Sequence, residues 1–265
     1  MLRRLILPHA TLPSVRRRRL IVIHSNECRG VDGPMVALVL LPGMDGIGIR
    51  HGPFIAALSG ACPVLPLAYP PDPKLGYREL ERFVLERLPQ EAPFVLLGES
   101  FSGPLAAMVA AAAPPGLVGL VLSASFVRNP RPATSLLRWL LAAPLPHPPL
   151  WAIEWLLFGG SGDPALRAEV KSVMARVPSA VFRARLRQVM DTDASDQLRR
   201  TTVPLLYLRA TRDWLVPESA ARAIATIRPD ARIVDIPAPH LLLQTAPDAA
   251  ARAVAEFLGE LGSSS

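Results

Sequence analysis

With 265 residues, half of them hydrophobic, and a net charge of +7, the chain is long enough to bury one sizeable core. It holds no uninterrupted apolar run of the roughly 18 residues that a transmembrane helix requires. Two cysteines, Cys28 and Cys62, form neither a C-x-x-C pair nor a metal-ligand spacing, which excludes a disulfide scaffold and leaves a cytoplasmic protein with reduced thiols as the expectation.

The chain opens on a basic lead, residues 1–34, where Arg3, Arg4, Arg16, Arg17, Arg18, Arg19 and Arg29 face only Glu27 and Asp32, so that +5 of the +7 lies here. The body is close to neutral, and lysine occurs only at Lys74 and Lys171. Such arginine-heavy usage records base composition more than choice of partner. The lead has no interleaved aromatic residues and no nucleic-acid motif, so no nucleic-acid partner is expected. Leu5-Ile-Leu7 followed by Pro8 is too short for the h-region of a secretory signal, and Leu20-Ile-Val-Ile23 would add an edge strand if the lead is native.

Beyond the lead, apolar runs of strand length are expected near 35–41, 63–67, 93–97, 117–123, 203–209 and 231–235. Helical segments are expected near 76–88, 101–113, 217–228 and 247–260. This alternation predicts an α/β fold with a mostly parallel, doubly wound sheet and helices on both faces. Residues 35–124 and 203–265 form the core, and the long stretch 125–202 exceeds any ordinary strand-to-helix connection. Its apolar pieces at 136–141 and 151–158 are separated by Pro144, Pro146, Pro148 and Pro149, and an arginine-rich set follows from Pro164 to Met190. The expectation is a helical cap folded over the end of the sheet.

Within that frame one strand runs from Phe94 through Gly98-Glu-Ser-Phe-Ser-Gly103 straight into an alanine-rich helix. A serine on such a sharp turn presents its hydroxyl above the sheet edge, close to the positive end of the helix. The turn also brings the residues two before and two after it close together, so both must be small, and they are Gly98 and Ser102. Gly103 comes one place later than in the usual G-x-S-x-G and keeps the helix start uncrowded. Ser100 is the candidate nucleophile. It needs an imidazole to accept its proton and a carboxylate to hold that imidazole in the right tautomer. After Ser100, Asp213 and His240 each stand just past an apolar strand, at the edge where open α/β sheets place their ligands. Asp191, Asp193, Asp196, Asp230 and Asp235 lie before or within strands; His9, His24 and His51 precede the serine, and His147 lies in the proline-rich stretch. Backbone amides for an oxyanion are expected from Phe101 and from Met44, the latter in the loop Pro42-Gly-Met-Asp-Gly-Ile-Gly48, where Gly43 and Gly46 let the backbone approach a reacting carbonyl.

Four motifs carry a resemblance: Gly-Glu-Ser-Phe-Ser-Gly at 98–103, Leu-Pro-Gly-Met-Asp-Gly at 41–46, Thr-Arg-Asp-Trp-Leu-Val-Pro at 211–217 and Pro-His-Leu-Leu-Leu-Gln at 239–244. In that order they resemble the α/β-hydrolase superfamily over about residues 35–260. The resemblance implies a serine hydrolase of esterase or thioesterase type, with no cofactor and with Ser100, Asp213 and His240 as its triad. No His/Cys/carboxylate cluster suggests a metal. A small-molecule ester or thioester is the expected substrate. Alternatives of the same fold are a thioesterase or acyltransferase, or a member that binds a ligand or partner without catalysis; oligomeric state is open. In the cap, Trp139, Trp151, Trp155 and Phe158 are expected to pack onto the cap's own core rather than line an acyl pocket. Arg183, Arg185 and Arg187 are expected on a solvated helix face, and the Glu99 side chain is expected to turn away from the reacting carbonyl.

Overall fold

The computed structural model describes residues 36–48, 51–90, 92–133, 149–159 and 163–263. The expected edge strand at 20–23, the apolar piece at 136–141, Trp139 and His147 lie outside them. Six strands, β1 (Ala37–Leu41), β2 (Val64–Pro66), β3 (Phe94–Glu99), β4 (Leu117–Ser123), β5 (Leu205–Ala210) and β6 (Arg232–Ile236), form one sheet in the order β2-β1-β3-β4-β5-β6, and every neighbouring pair is parallel. Every residue of β1 and β3 is buried, because helices cover both faces and alternation has no solvent side to serve. β2 and β6 are the sheet edges and are only partly buried. There Pro66 and the charged pair Arg232 and Asp235 are tolerated.

Chain order reverses where β1 stands between β2 and β3, so the loops leaving β1 and β3 diverge and open a crevice at their carboxyl ends. Helices α1 (Gly52–Leu58), α2 (Tyr77–Leu85) and α3 (Ser102–Ala111) follow β1, β2 and β3. Helix α1 was not anticipated from the sequence: it is short, opens on Gly52-Pro53 and offers barely two turns of periodicity. Helix α3 is apolar all round and buried nearly throughout, as befits a helix pressed between the sheet and its neighbours.

Between β4 and β5 come α4 (Leu150–Phe158), α5 (Pro164–Arg176), α6 (Ser179–Asp191) and α7 (Ser195–Arg200). Prolines stand at three of these starts: Pro149 and Pro178 are N-caps and Pro164 is the first residue of α5. A fixed φ and a missing N–H cost nothing there. Gly159 ends α4 with φ 58°, the left-handed conformation that closes helices at least strain in glycine. The segment leaves and returns at one place. Arg128 and Asp193 form an antiparallel bridge, flanked by Asn129 N–H to Thr192 C=O at 3.1 Å and Ala194 N–H to Val127 C=O at 2.7 Å.

Helices α8 (Glu218–Ile227), α9 (Leu242–Thr245) and α10 (Pro247–Ser263) complete the chain. One apolar layer joins Leu80, Val84, Leu105 and Ile224 to one face of the sheet. The other joins Phe54, Leu58, Val254 and Phe257 to the opposite face. No helix among the described residues is long and apolar enough to cross a membrane.

Candidate active site

The carboxyl ends of β3, β5 and β6 bring three side chains to one point. Ser100 Oγ lies 2.8 Å from His240 Nε2, and His240 Nδ1 lies 2.7 Å from Asp213 Oδ2. Ser100 is separated from His240 by 140 residues, and Asp213 from His240 by 27; the three share no local signal beyond standing just after a strand. The second oxygen of Asp213 accepts the Leu215 and Val216 N–H groups at 2.7 and 2.9 Å, which fixes the carboxylate plane. An imidazole held in this way keeps its proton on Nδ1 and presents an unprotonated Nε2 to the serine. The arrangement can deprotonate a hydroxyl in the act of attack.

Ser100 adopts φ 49°, a left-handed conformation that costs a non-glycine residue about 1–3 kcal/mol and persists only when its surroundings hold it. Here they do. Ser100 N–H donates to Ser123 C=O at 3.0 Å, Gly103 N–H donates to Ser100 C=O at 3.1 Å, and Ser125 Oγ donates to the same carbonyl. The small residues expected around the turn are required by space. A Cβ on Gly98 would lie 2.6 Å from Ser102 C=O, and one on Gly103 would lie 1.9 Å from Ser125 Oγ.

Ser102 is more than a small residue in place of glycine. It is fully buried, its hydroxyl donates to Pro42 C=O, and, its one proton being used, it accepts the Tyr69 O–H at 2.5 Å. Burial pushes the Tyr69 phenol above its ordinary range, against the opposing effect of this hydrogen bond. The serine turn is thereby tied to the loop after β1. Ser102→Ala leaves both Pro42 C=O and Tyr69 O–H buried without this partner, a loss of about 1–3 kcal/mol. Tyr69→Phe removes donor and need together and should cost less. Urea unfolding of the two variants checks the ordering.

The loop after β1 turns at Gly43-Met-Asp-Gly46, closed by Gly46 N–H to Gly43 C=O at 3.0 Å, and Gly46 takes φ 69°. Among the described residues, neither the Met44 N–H nor the Phe101 N–H is matched to a protein acceptor. The Phe101 carbonyl accepts the Tyr77 O–H at 2.8 Å, and the two rings stack at 4.8 Å. The carbonyls that share a peptide with these two N–H groups, Gly43 C=O and Ser100 C=O, are both held, the first by Gly46 N–H and the second by Gly103 N–H and Ser125 Oγ.

Glu99 turns into the protein, as expected, but into a set of partners that the sequence did not suggest. His51 Nε2 lies 2.7 Å from one carboxylate oxygen, and Gln244 Nε2 donates to the other at 2.9 Å. The carboxylate therefore links the residue before the nucleophile to α9, which follows His240, and to the start of α1. His51 was set aside as preceding the serine; it stands behind the site.

Expectations for the segment 125–202 divide. Phe158 is fully buried with Ile153, Val170 and Met174, and this cluster also takes in Leu241, the residue after His240. Trp151 and Trp155, expected to pack inward, are exposed at 73% and 50%; Trp155 rests on Trp214, beside Asp213, with ring centroids 5.1 Å apart. A helix of nine residues with an apolar mean composition has too little core beneath it to bury every aromatic side. Arg185 overturns the expectation of a solvated face. It is buried, only 2% exposed, and donates from Nη1 to Met44 C=O at 2.8 Å and from Nη2 to Pro70 C=O at 3.2 Å. Among the described residues no group of three or more His, Cys, Asp or Glu side chains is placed to hold a metal ion.

A family model described as serine aminopeptidase, S33, matches residues 77–243, a span that includes Ser100, Asp213 and His240. No curated protein matches the sequence. Solved structures are similar in fold. An enol-lactonase from Burkholderia xenovorans aligns with a TM-score of 0.73 at 20% identity, over 86% of this chain and 92% of that one. A thermophilic esterase from Thermogutta terrifontis gives 0.73 at 20% identity, over 86% and 91%, and a hydrolase from Pseudomonas aeruginosa gives 0.72 at 23%, over 85% and 90%.

Proposed function

The chain belongs to the serine aminopeptidase S33 family of α/β hydrolases, and from that membership and the site geometry we propose that it hydrolyses carboxylic esters of small molecules through an acyl-enzyme. Ser100 Oγ attacks the ester carbonyl as His240 Nε2 takes its proton, and Asp213 stabilises the imidazolium that forms. The Met44 and Phe101 N–H groups receive the oxyanion. Collapse of the tetrahedral intermediate expels the alcohol with the proton from His240; water, deprotonated by the same imidazole, then attacks the acyl-enzyme and releases the acid. No step calls for a cofactor. Helices α4–α7 serve as a cap over this site.

The observation that carries the reading is the unbroken relay Ser100–His240–Asp213, at 2.8 and 2.7 Å, on a serine held at positive φ. An ester is favoured over an aminopeptidase substrate because a free α-ammonium needs a carboxylate to receive it. The carboxylate next to the serine, Glu99, is buried and engaged at both oxygens.

A fluorophosphonate probe should form one adduct, located at Ser100 by peptide mass mapping, and p-nitrophenyl esters of graded chain length should be turned over. Folded protein that takes no adduct and cleaves no ester in the panel would rule the proposal out.

A further inference from the structure

Arg185 combines features that do not belong to a surface arginine. It lies midway along α6, in the segment between β4 and β5, yet its guanidinium is buried against the loop that follows β1. No carboxylate among the described residues lies within ion-pair distance of it, and its acceptors are two backbone carbonyls, Met44 C=O and Pro70 C=O. The rings of Tyr69 and Phe101 lie 5.7 and 6.0 Å from its central carbon. Gly46 makes room for it: a Cβ there would stand 2.4 Å from Nη1. Burial lowers the pKa of the guanidinium, with Tyr69 and Asp45 opposing the shift. A charge desolvated at this cost, without a charged partner in contact, is poorly explained as a contribution to stability.

Its position supplies another explanation. The bidentate fork spans two loops, the one after β1 through Met44 and the one after β2 through Pro70. Tyr69, the residue before Pro70, is the one that bonds to Ser102, and Tyr69 N–H also donates to Gly46 C=O at 2.7 Å. Guanidinium geometry suits this clamp, being planar and rigid in its spacing of donors.

We propose that Arg185 is a positioning residue that holds Met44 through its carbonyl, and with it the adjoining Gly43–Met44 peptide whose N–H meets the oxyanion, so that oxyanion stabilisation depends on α6 being seated on the core. The catalytic part of this statement rests on the ester-hydrolase reading above; the loop-holding part does not. Two further fastenings make α4–α7 and the site one unit: Leu241 beside His240 packs in the cluster with Phe158, and Arg131 donates to the Leu215 and Trp214 carbonyls beside Asp213. Arg185 reaches the loop that carries Met44.

The experiment compares Arg185→Met, Arg185→Lys and the exposed Arg187→Met control, each on the full chain. It measures ester kinetics, the inhibition constant of a trifluoromethyl ketone, whose adduct with serine carries an oxyanion, and amide exchange at residues 43–47. A loop displaced by about 1 Å loses on the order of 10²-fold in rate. Arg185→Met is therefore expected to lower kcat about 10²-fold with little change in KM, to weaken the ketone in parallel, and to raise exchange at 43–47 above the global change. Arg185→Lys, which keeps the charge but loses the fork, should fall between, and Arg187→Met should match the wild type. In Arg185→Ala, added guanidinium ion should restore part of kcat. Unchanged kcat and ketone affinity in folded Arg185→Met, or equal exchange at 43–47, overturns the proposal. If Arg185→Met does not fold, Arg185→Lys decides by the same readouts. If the wild type cleaves no ester, the functional reading fails, while exchange at 43–47 still decides whether Arg185 holds the loop.

Discussion

Asp213→Asn is expected to lower kcat by about 10⁴-fold, in a protein that folds and melts much as the wild type does. The argument comes from the two faces of this carboxylate. Oδ1 accepts two backbone N–H groups, from Leu215 and Val216, so an asparagine must turn its carbonyl oxygen there. Its NH₂ then faces His240 Nδ1, which can no longer carry a proton and must instead accept a hydrogen bond. The proton moves to Nε2, the atom 2.8 Å from Ser100 Oγ, and the imidazole cannot deprotonate the serine. Ser100→Ala, which removes the nucleophile itself, should cost on the order of 10⁶-fold and abolish fluorophosphonate labelling. Ester kinetics with nitrogen-resolved NMR of the imidazole would test the tautomer directly. A fall in kcat of less than tenfold for Asp213→Asn would sink the assignment of Asp213.

The second large effect is on stability. Gly103→Ala replaces the poorest ordinary helix former by the best, and at an open helical site that gains about 1 kcal/mol. Here the new Cβ would stand 1.9 Å from Ser125 Oγ and 2.6 Å from Phe126 C=O. Ser125 must shift and give up its hydrogen bond to Ser100 C=O, one of the three that hold the left-handed serine. Overpacking of about 1–3 kcal/mol and the loss of a buried hydrogen bond, about 1 kcal/mol, outweigh the propensity gain. A fall in melting temperature of roughly 2–12 °C follows for a domain of this size. Ser125→Gly in the same chain should recover much of the loss, because it removes the obstructing atoms. A Gly103→Ala protein at least as stable as the wild type would show that the helix start has slack the geometry does not suggest.

The central strands could be read from the sequence because a parallel strand buried on both faces leaves an unbroken apolar run. The polar residue that interrupts such a run marks the functional edge. Ser100 and Asp213 were picked out in that way, and His240 by its place after the edge strand β6; the structure brings the three side chains together. His51, Tyr69 and Arg185 were not, since each meets the site from an element distant in the chain and has no local pattern to mark it; Gln244 stands four residues after His240, but its bond to Glu99 is a tertiary contact that no local pattern marks. Arg185 is the clearest case. On α6 it alternates with Arg183 and Arg187, and only the tertiary approach of the helix to Gly46 separates the buried member of the series from its neighbours. Ser102 is intermediate: its small size was legible, whereas its hydroxyl's bond to Pro42 depends on β1 lying beside β3.

The pairing of Arg128 with Asp193 has an evolutionary meaning. Because the segment between Arg128 and Asp193 leaves and returns at that narrow neck, a change in its length need not alter the register of the six strands. Under the proposed ester-hydrolase reading, substrate preference could then change while Ser100, Asp213 and His240 keep their places. The graft is not wholly free, however. Any replacement that lacks a side chain in the position of Arg185 arrives without the brace for the Met44 loop, so inherited diversity in this segment should be bounded by a single retained arginine or by a compensating change near Gly46.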